Sequence, residues 1–407
     1  MSHLAQPAGQ PPADPAPRAA VAALATSKVR EIANAGFGRE DLLKFWFGES
    51  ETPTPDYIRR AAIASIEAGE TFYAHNNGRA DLRTQLSSYL QSLHGGAWDE
   101  RRVSVTSSGI SALAVAMQAL LDPGSRVVVV TPVWPNVTQI PRVLGADVVR
   151  VPLEVRNGKW SLDLDRLLAL VTPDTRLLVI NSPGNPTGWT LAPDQRQPIL
   201  DHCRRLGVWL LTDDVYERLV FDPDLNSAPS FLPLITPQDR VISANSFSKA
   251  WLMTGWRLGW LAAPPSLEEH LGKLIEFNTS CAPGFVQAAG LMALREGEPH
   301  VAALRAELAG NAQRLARGLQ LLPGVETAEP TAGMYVFFRP SGRDDSVRLA
   351  RRLMAEAGLG LAPGSAFGPE GEGWLRWCVA AREDRLADGL ERFARWHALH
   401  SGRADPA

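Results

Sequence analysis

Arg-Leu-Leu-Val-Ile-Asn-Ser-Pro-Gly-Asn-Pro-Thr-Gly, residues 176 to 188, leads a short aliphatic run directly into a turn stiffened by two X-Pro bonds and two glycines. The run Arg176 to Asn181 is too short for a core helix, and its β-branched and leucine side chains suit a strand buried on both faces. Similar runs recur at Val103 to Val105, Arg126 to Val130, Asp147 to Val151, Val208 to Thr212, Arg240 to Ser243 and Gly259 to Ala262. Helical patterns such as Ile110 to Leu121 and Pro193 to Leu206 separate them. This alternation predicts an α/β chain with a mostly parallel central sheet flanked by helices.

Beyond that unit the character changes. Phe285 to Leu322 has helical spacing with one charged face, Gly333 to Arg339 is strand-like, and Ser346 to Ala357 is helical again. With a helix around Arg18 to Asn34, these imply a smaller α+β domain over 18–52 and 301–407, beside a large α/β domain over 53–300. Residues 1–17 are rich in Pro, Ala and Gln and lack a basic start followed by an apolar run. They are expected to form a disordered tail, neither signal peptide nor anchor, on a cytoplasmic protein.

With 407 residues and 45% hydrophobic content, the chain exceeds what one core usually supports. Its 41 basic and 44 acidic residues are mixed along its length, giving a net charge of −3 and no basic field for nucleic acid or a membrane surface. No apolar run approaches the ~20 residues that span a bilayer. Cys203, Cys281 and Cys378 form neither a Cys-x-x-Cys pair nor a metal-ligand spacing, so reduced thiols and no metal are expected. Small-molecule chemistry is what remains.

In open α/β sheets such chemistry gathers beyond the carboxyl ends of the strands. There the chain places Ser246-Phe-Ser248-Lys249 and Thr254-Gly-Trp-Arg257. A neutral lysine condenses with an aldehyde to a Schiff base, while a guanidinium and serine hydroxyls hold a phosphate. Pyridoxal phosphate needs both. Thr106-Ser-Ser108-Gly109 opens a helix whose free N–H groups suit a phosphate, although Ser and Gly cap ordinary helices equally well. Asp213, ending another apolar run, can keep a pyridine nitrogen protonated, and Tyr216 can donate to a phenolic oxygen, or the pair is an acidic turn with a buried tyrosine. The Asn185 amide is free to donate over the strand ends. Trp134 offers a flat face for stacking, though tryptophans mostly fill cores.

The order Tyr73, Gly78, Leu82-Arg83, Ser108-Gly109, Trp134, Asn185-Pro-Thr-Gly, Asp213, Tyr216, Ser246-Phe-Ser-Lys249, Arg257 and Arg376 resembles the class I/II, fold-type I pyridoxal-phosphate aminotransferases, nearest to the prokaryotic aspartate and aromatic types. The resemblance implies a ping-pong exchange of an amino group between an α-amino acid and a 2-oxo acid. It implies that Lys249 carries the cofactor and moves the substrate's α-proton, with Asp213 at the ring nitrogen, Asn185 and Tyr216 at the phenolic oxygen, and Trp134 on the ring face. Ser108, Gly109, Ile110, Ser246 and Arg257 are implied as the phosphate cradle, and Ser248 as a further cofactor-binding residue. Arg376, Asn185 and Gly48 are implied at the substrate, Arg376 on its α-carboxylate. Tyr73 is implied to reach the neighbouring subunit's phosphate in a homodimer.

One departure bears on substrate. Where prokaryotic aspartate aminotransferases often carry a lysine after the phosphate-loop glycine, this chain has Ile110. Together with Trp46, Phe47 and Trp251 it suggests neutral amino donors, because an unpaired buried carboxylate is costly. His75 or a partner arginine is the alternative for a diacid. An amino-acid lyase or decarboxylase would use the same lysine. A cofactor-sensing regulator would need a DNA-binding module, and few residues precede the first family element.

Overall fold

The computed structural model describes residues 15–400. Its central sheet has seven strands in the spatial order Val103–Thr106, Gly259–Ala262, Val241–Ser246, Trp209–Asp213, Thr175–Asn181, Arg126–Thr131, Asp147–Pro152. Gly259–Ala262 runs antiparallel to both neighbours, and the other pairings are parallel. Six strands therefore end on one edge.

Successive side chains on a strand face opposite ways. Val127, Val129, Leu177 and Val179 pack under the helices Gly109–Leu120 and Glu268–Thr279. Val128, Val130, Leu178 and Ile180 join the larger core on the opposite face. Both faces being covered is why these strands read as continuous apolar runs.

A second, antiparallel sheet carries Val325–Thr327, Tyr335–Pro340, Leu375–Cys378 and Ala362–Pro363, in that order. The short parallel pair Leu43–Lys44 with Leu359–Gly360 ties the early chain to this region. Phe45 continues the tie, its N–H donating to Gly360 O at 2.8 Å and its carbonyl accepting from Cys378 N at 3.1 Å. The segment that follows, Trp46 to Glu49, is thereby led into the space between the two sheets.

Several expectations are corrected. The helix expected around Arg18 to Asn34 is two pieces, Ala19–Ala22 and Lys28–Ala35, because Ser27 caps the second, its Oγ accepting from Arg30 N at 3.3 Å. The long helix expected over Phe285 to Leu322 breaks at Gly297 into Gly284–Glu296 and Glu298–Gln320. Pro299 restarts it in the first turn, where its missing N–H costs nothing. A Cβ on Gly297 would stand 2.6 Å from Trp251 Nε1, so the break also lets that indole pack. The strand expected over Arg240 to Ser243 extends as Val241–Ser246, since Asn245 and Ser246 continue the ladder against Trp260 and Gly259 despite being polar. The tail expected over 1–17 lies, apart from residues 15–17, outside the described residues. Among the described residues no helix is long and apolar enough to cross a membrane.

Phe393, in the helix Glu383–His400, is fully buried between Phe338, Trp377 and Trp396. Phe393→Ala is expected to cost about 3–5 kcal/mol of stability, seen as a lower urea midpoint, and a change under ~1 kcal/mol would contradict this packing.

Candidate active site

The loops leaving the carboxyl edge of the large sheet, the Trp46 to Glu49 segment and the small sheet enclose a cavity of about 500 Å³. After Val103–Thr106 the chain enters the helix Gly109–Leu120, capped by Ser108, whose Oγ accepts from Ser111 N at 2.9 Å. Gly109 and Gly259 touch backbone to backbone: a Cβ on Gly259 would lie 2.6 Å from Gly109 N, and one on Gly109 would lie 2.9 Å from Ser246 Cβ. Only glycines let this helix start settle so close to the strand ends. Ser246 donates from Oγ to Ser248 Oγ at 2.9 Å, and Arg257, at a left-handed φ of +56°, donates to Thr254 O at 2.7 Å. Gly109, Ile110, Ser246, Ser248 and Arg257 all line the cavity, while Ser108 sits just behind as the cap. The result is a helix N-terminus faced by two hydroxyls and a guanidinium, a set of donors suited to a phosphate.

Lys249 enters from the same loop as Ser248 and Arg257. Its Nζ donates to Gly48 O at 2.6 Å and lies 5.7 Å from the centre of the Tyr216 ring. Burial pulls its pKa down to about 8, so a useful fraction is the neutral, nucleophilic amine near neutral pH. Gly48 has no room for a side chain, since a Cβ there would fall 1.8 Å from Tyr335 Oη.

Asp213 closes the strand Trp209–Asp213 and is buried, and its Oδ1 has no hydrogen-bond partner. Burial, and then the neighbouring Asp214 carboxylate, push its pKa up to about 7. An orphaned carboxylate oxygen facing a cavity is a demand for a cationic N–H.

Asn181 organises the Pro-Gly-Asn-Pro turn, accepting from Asn185 N at 2.8 Å through Oδ1 and donating from Nδ2 to Asp213 O at 3.0 Å. Asn185 in turn donates weakly to Tyr216 Oη at 3.5 Å and accepts from Arg376 Nη1 at 2.9 Å. Tyr216 Oη lies 2.7 Å from Tyr335 Oη, and burial, then Tyr335, hold its pKa well above the ordinary phenol value.

Arg376 is 1% exposed. Its two hydrogen bonds run to neutral oxygens, Asn185 Oδ1 and Trp46 O, and its Nε has none. Aromatic rings surround it, with Tyr335 at 4.3 Å, Phe367 at 4.8 Å and Trp134 at 5.8 Å from the guanidinium carbon. A buried cation with spare donors and no anion is a receptor for a carboxylate.

Of the other residues singled out in the sequence, Phe47 and Trp134 line the cavity, and Trp46 contributes through its carbonyl. Trp251 does not reach it, being packed in the core against Phe247, Tyr89 and Trp260. His75 is also absent from the lining, and its Nδ1 accepts from Asn77 N at 3.1 Å. Tyr73 is 89% exposed and lies outside the cavity of its own chain. Tyr335, Arg30 and Glu49 line the cavity and were not singled out in the sequence. Tyr335 shares a sheet face with Arg376, being two residues from Phe337, the direct partner of Arg376. That alternation was legible only once the two strands were known to pair.

Comparison with known proteins converges on one family. The family model described as aminotransferase class I and II matches residues 40–393. An aspartate aminotransferase of Pyrococcus horikoshii is 32% identical over 371 residues, covering 90% of this chain and 93% of that protein. An arginine–pyruvate transaminase of Pseudomonas aeruginosa is 32% identical over 367 residues, covering 90% and 92%. Among solved structures, a single mutant of Thermus thermophilus aspartate aminotransferase superposes with a TM-score of 0.86 at 29% identity, covering 94% of this chain and 99% of that one.

In the cofactor-free protein, modification of Lys249 by an amine reagent is expected to rise with pH through a midpoint of about 8 and then level off. Mass spectrometry of briefly treated protein measures it, and a midpoint at the ordinary lysine value near 10.4 would contradict the burial argument.

Proposed function

This chain belongs to the class I and II aminotransferases, and on that footing we propose how its cavity moves an amino group between an α-amino acid and a 2-oxo acid. When bound, pyridoxal phosphate supplies a carbonyl to take up the amine and a ring that draws electrons from the α-carbon. The remaining work falls to the chain.

Lys249 Nζ would be the amine that holds the cofactor's carbonyl, and its lowered pKa suits it to take and return the substrate's α-proton. The unpartnered Oδ1 of Asp213 would accept the ring N–H, and a cation there would favour the charged carboxylate. Asn185 and Tyr216 donate to the phenolic oxygen, and Trp134 stacks on the ring. The N–H groups at Ser108, Gly109 and Ile110, with Ser246, Ser248 and Arg257, hold the phosphate. Arg376 exchanges its neutral partners for the substrate α-carboxylate, which sets the α-C–H toward Lys249, and Gly48 keeps that passage open. The single observation that carries this reading is the pairing of a partly neutral lysine with a buried, anion-free Arg376 in one cavity. The relatives named above are transaminases, which favours transfer over the lyase and decarboxylase alternatives.

The active form is proposed to be a homodimer. Phe72, Tyr73 and Phe277 are 86%, 89% and 87% exposed, an unusual display of aromatic surface that a second copy would cover, bringing Tyr73 to the partner's phosphate. A cytoplasmic site of action accords with three free cysteines.

Lys249→Ala is expected to lower the amino-acid half-reaction, followed by the cofactor's visible absorption, by about a thousandfold or more. Retained turnover would sink the assignment. Tyr73→Ala is expected to weaken cofactor binding by roughly tenfold. Mixing it with Lys249→Ala subunits should restore tight binding at the one site that has both native residues. Absence of that restoration would place Tyr73 outside the partner's site.

A further inference from the structure

The proposed chemistry leaves one cation on the cavity wall without a task. Arg30 stands in the first turn of the helix Lys28–Ala35, and its guanidinium lies 4.9 Å from the centre of the Phe47 ring. Both residues line the cavity that holds Lys249 and Arg376. Its helix neighbour Glu31 is engaged elsewhere, by Arg351 at 2.5 Å. For Arg30 the ring is the contact the side chain makes, and among the described residues no carboxylate pairs with it.

Its location follows from the chain path. Arg376 donates to the carbonyl of Trp46, so Phe47, the next residue, sits beside the carboxylate receptor, and Arg30 lies over Phe47. Arg30 and Arg376 thus line one cavity, with Phe47 in contact with the first and next in sequence to the residue that accepts from the second. Of the two acids on the wall, Asp213 closes a strand of the large sheet and Glu49 lies toward the lysine loop, its Oε2 accepting from Thr254 Oγ1 at 3.5 Å. The helix Gly109–Leu120 contributes Gly109, Ile110 and Leu113 to the lining and no charged group. A guanidinium stacked on a ring keeps its N–H edge free, pre-oriented for a bidentate carboxylate.

Resting on the aminotransferase reading above, we infer that Arg30 receives the distal carboxylate of a dicarboxylic substrate, an amino diacid or 2-oxo diacid whose α-carboxylate is on Arg376. Neutral side chains then lie against Phe47 and Ile110, so one pocket serves both partners of the exchange. The Ile110-based expectation of neutral donors is thereby narrowed to one half of the reaction.

Arg30→Met and Arg30→Lys decide it. With cofactor-loaded enzyme, the ratio of kcat/KM for L-glutamate over L-alanine is expected to fall about ten- to a hundredfold in Arg30→Met, and to recover in good part in Arg30→Lys. Calorimetric binding of glutarate should weaken over the same range relative to butyrate, and this readout needs no turnover. An unchanged ratio with unchanged glutarate binding would overturn the role of Arg30, as would a native enzyme that reacts with alanine and leucine but with neither glutamate nor aspartate. Failure of every amino acid to react would instead count against the aminotransferase reading, and glutarate binding would still judge Arg30.

Discussion

The hydrogen bonds of Arg376 hold the site together. One guanidinium on the small sheet reaches Asn185 on a loop of the large sheet and the carbonyl of Trp46 on the early chain. Three parts of the sequence, far apart in number, meet at a single planar ion. Because both partners are neutral, the charge of the guanidinium is left uncompensated, and under the proposed function a carboxylate would compete favourably for it.

Much of this was legible beforehand, for a physical reason. A parallel sheet delivers its loops to one edge, so Ser108, Trp134, Asn185, Asp213 and Lys249, each following an apolar run, had to converge wherever the runs paired in parallel. The cavity collects them or, for Ser108, the turn behind it. What escaped depends on pairings that leave no local trace. Tyr335 reaches Tyr216 only through antiparallel strands remote in sequence, and Arg30 reaches Phe47 because a capped helix happens to begin at the lip. Trp251 shows the converse error. It was expected among the aromatic surroundings of the substrate, whereas a gap left by Gly297 draws it into the core.

Three buried acids lie within five residues, Asp213, Asp214 and Glu217, and the chain treats them differently. Asp214 accepts from Thr212 at 2.6 Å and Ser243 at 2.5 Å. Glu217 accepts from Asn245 at 2.7 Å and meets His94 Nε2 at 3.1 Å. Asp213 Oδ1 alone is left unsatisfied, with Asp214 adding repulsion to its burial. The unmet electrostatic demand is thereby concentrated on one acid, and of the three Asp213 is the one that lines the cavity.

Lys249 rests on a main-chain carbonyl, that of Gly48, at a position where the Tyr335 hydroxyl forbids any side chain. A backbone oxygen is the same whatever residue carries it, and it does not ionise. A change at Phe47 would therefore leave the resting place of the amine intact, whereas Glu49 acts on the amine itself, its charge raising the lysine's hold on its proton.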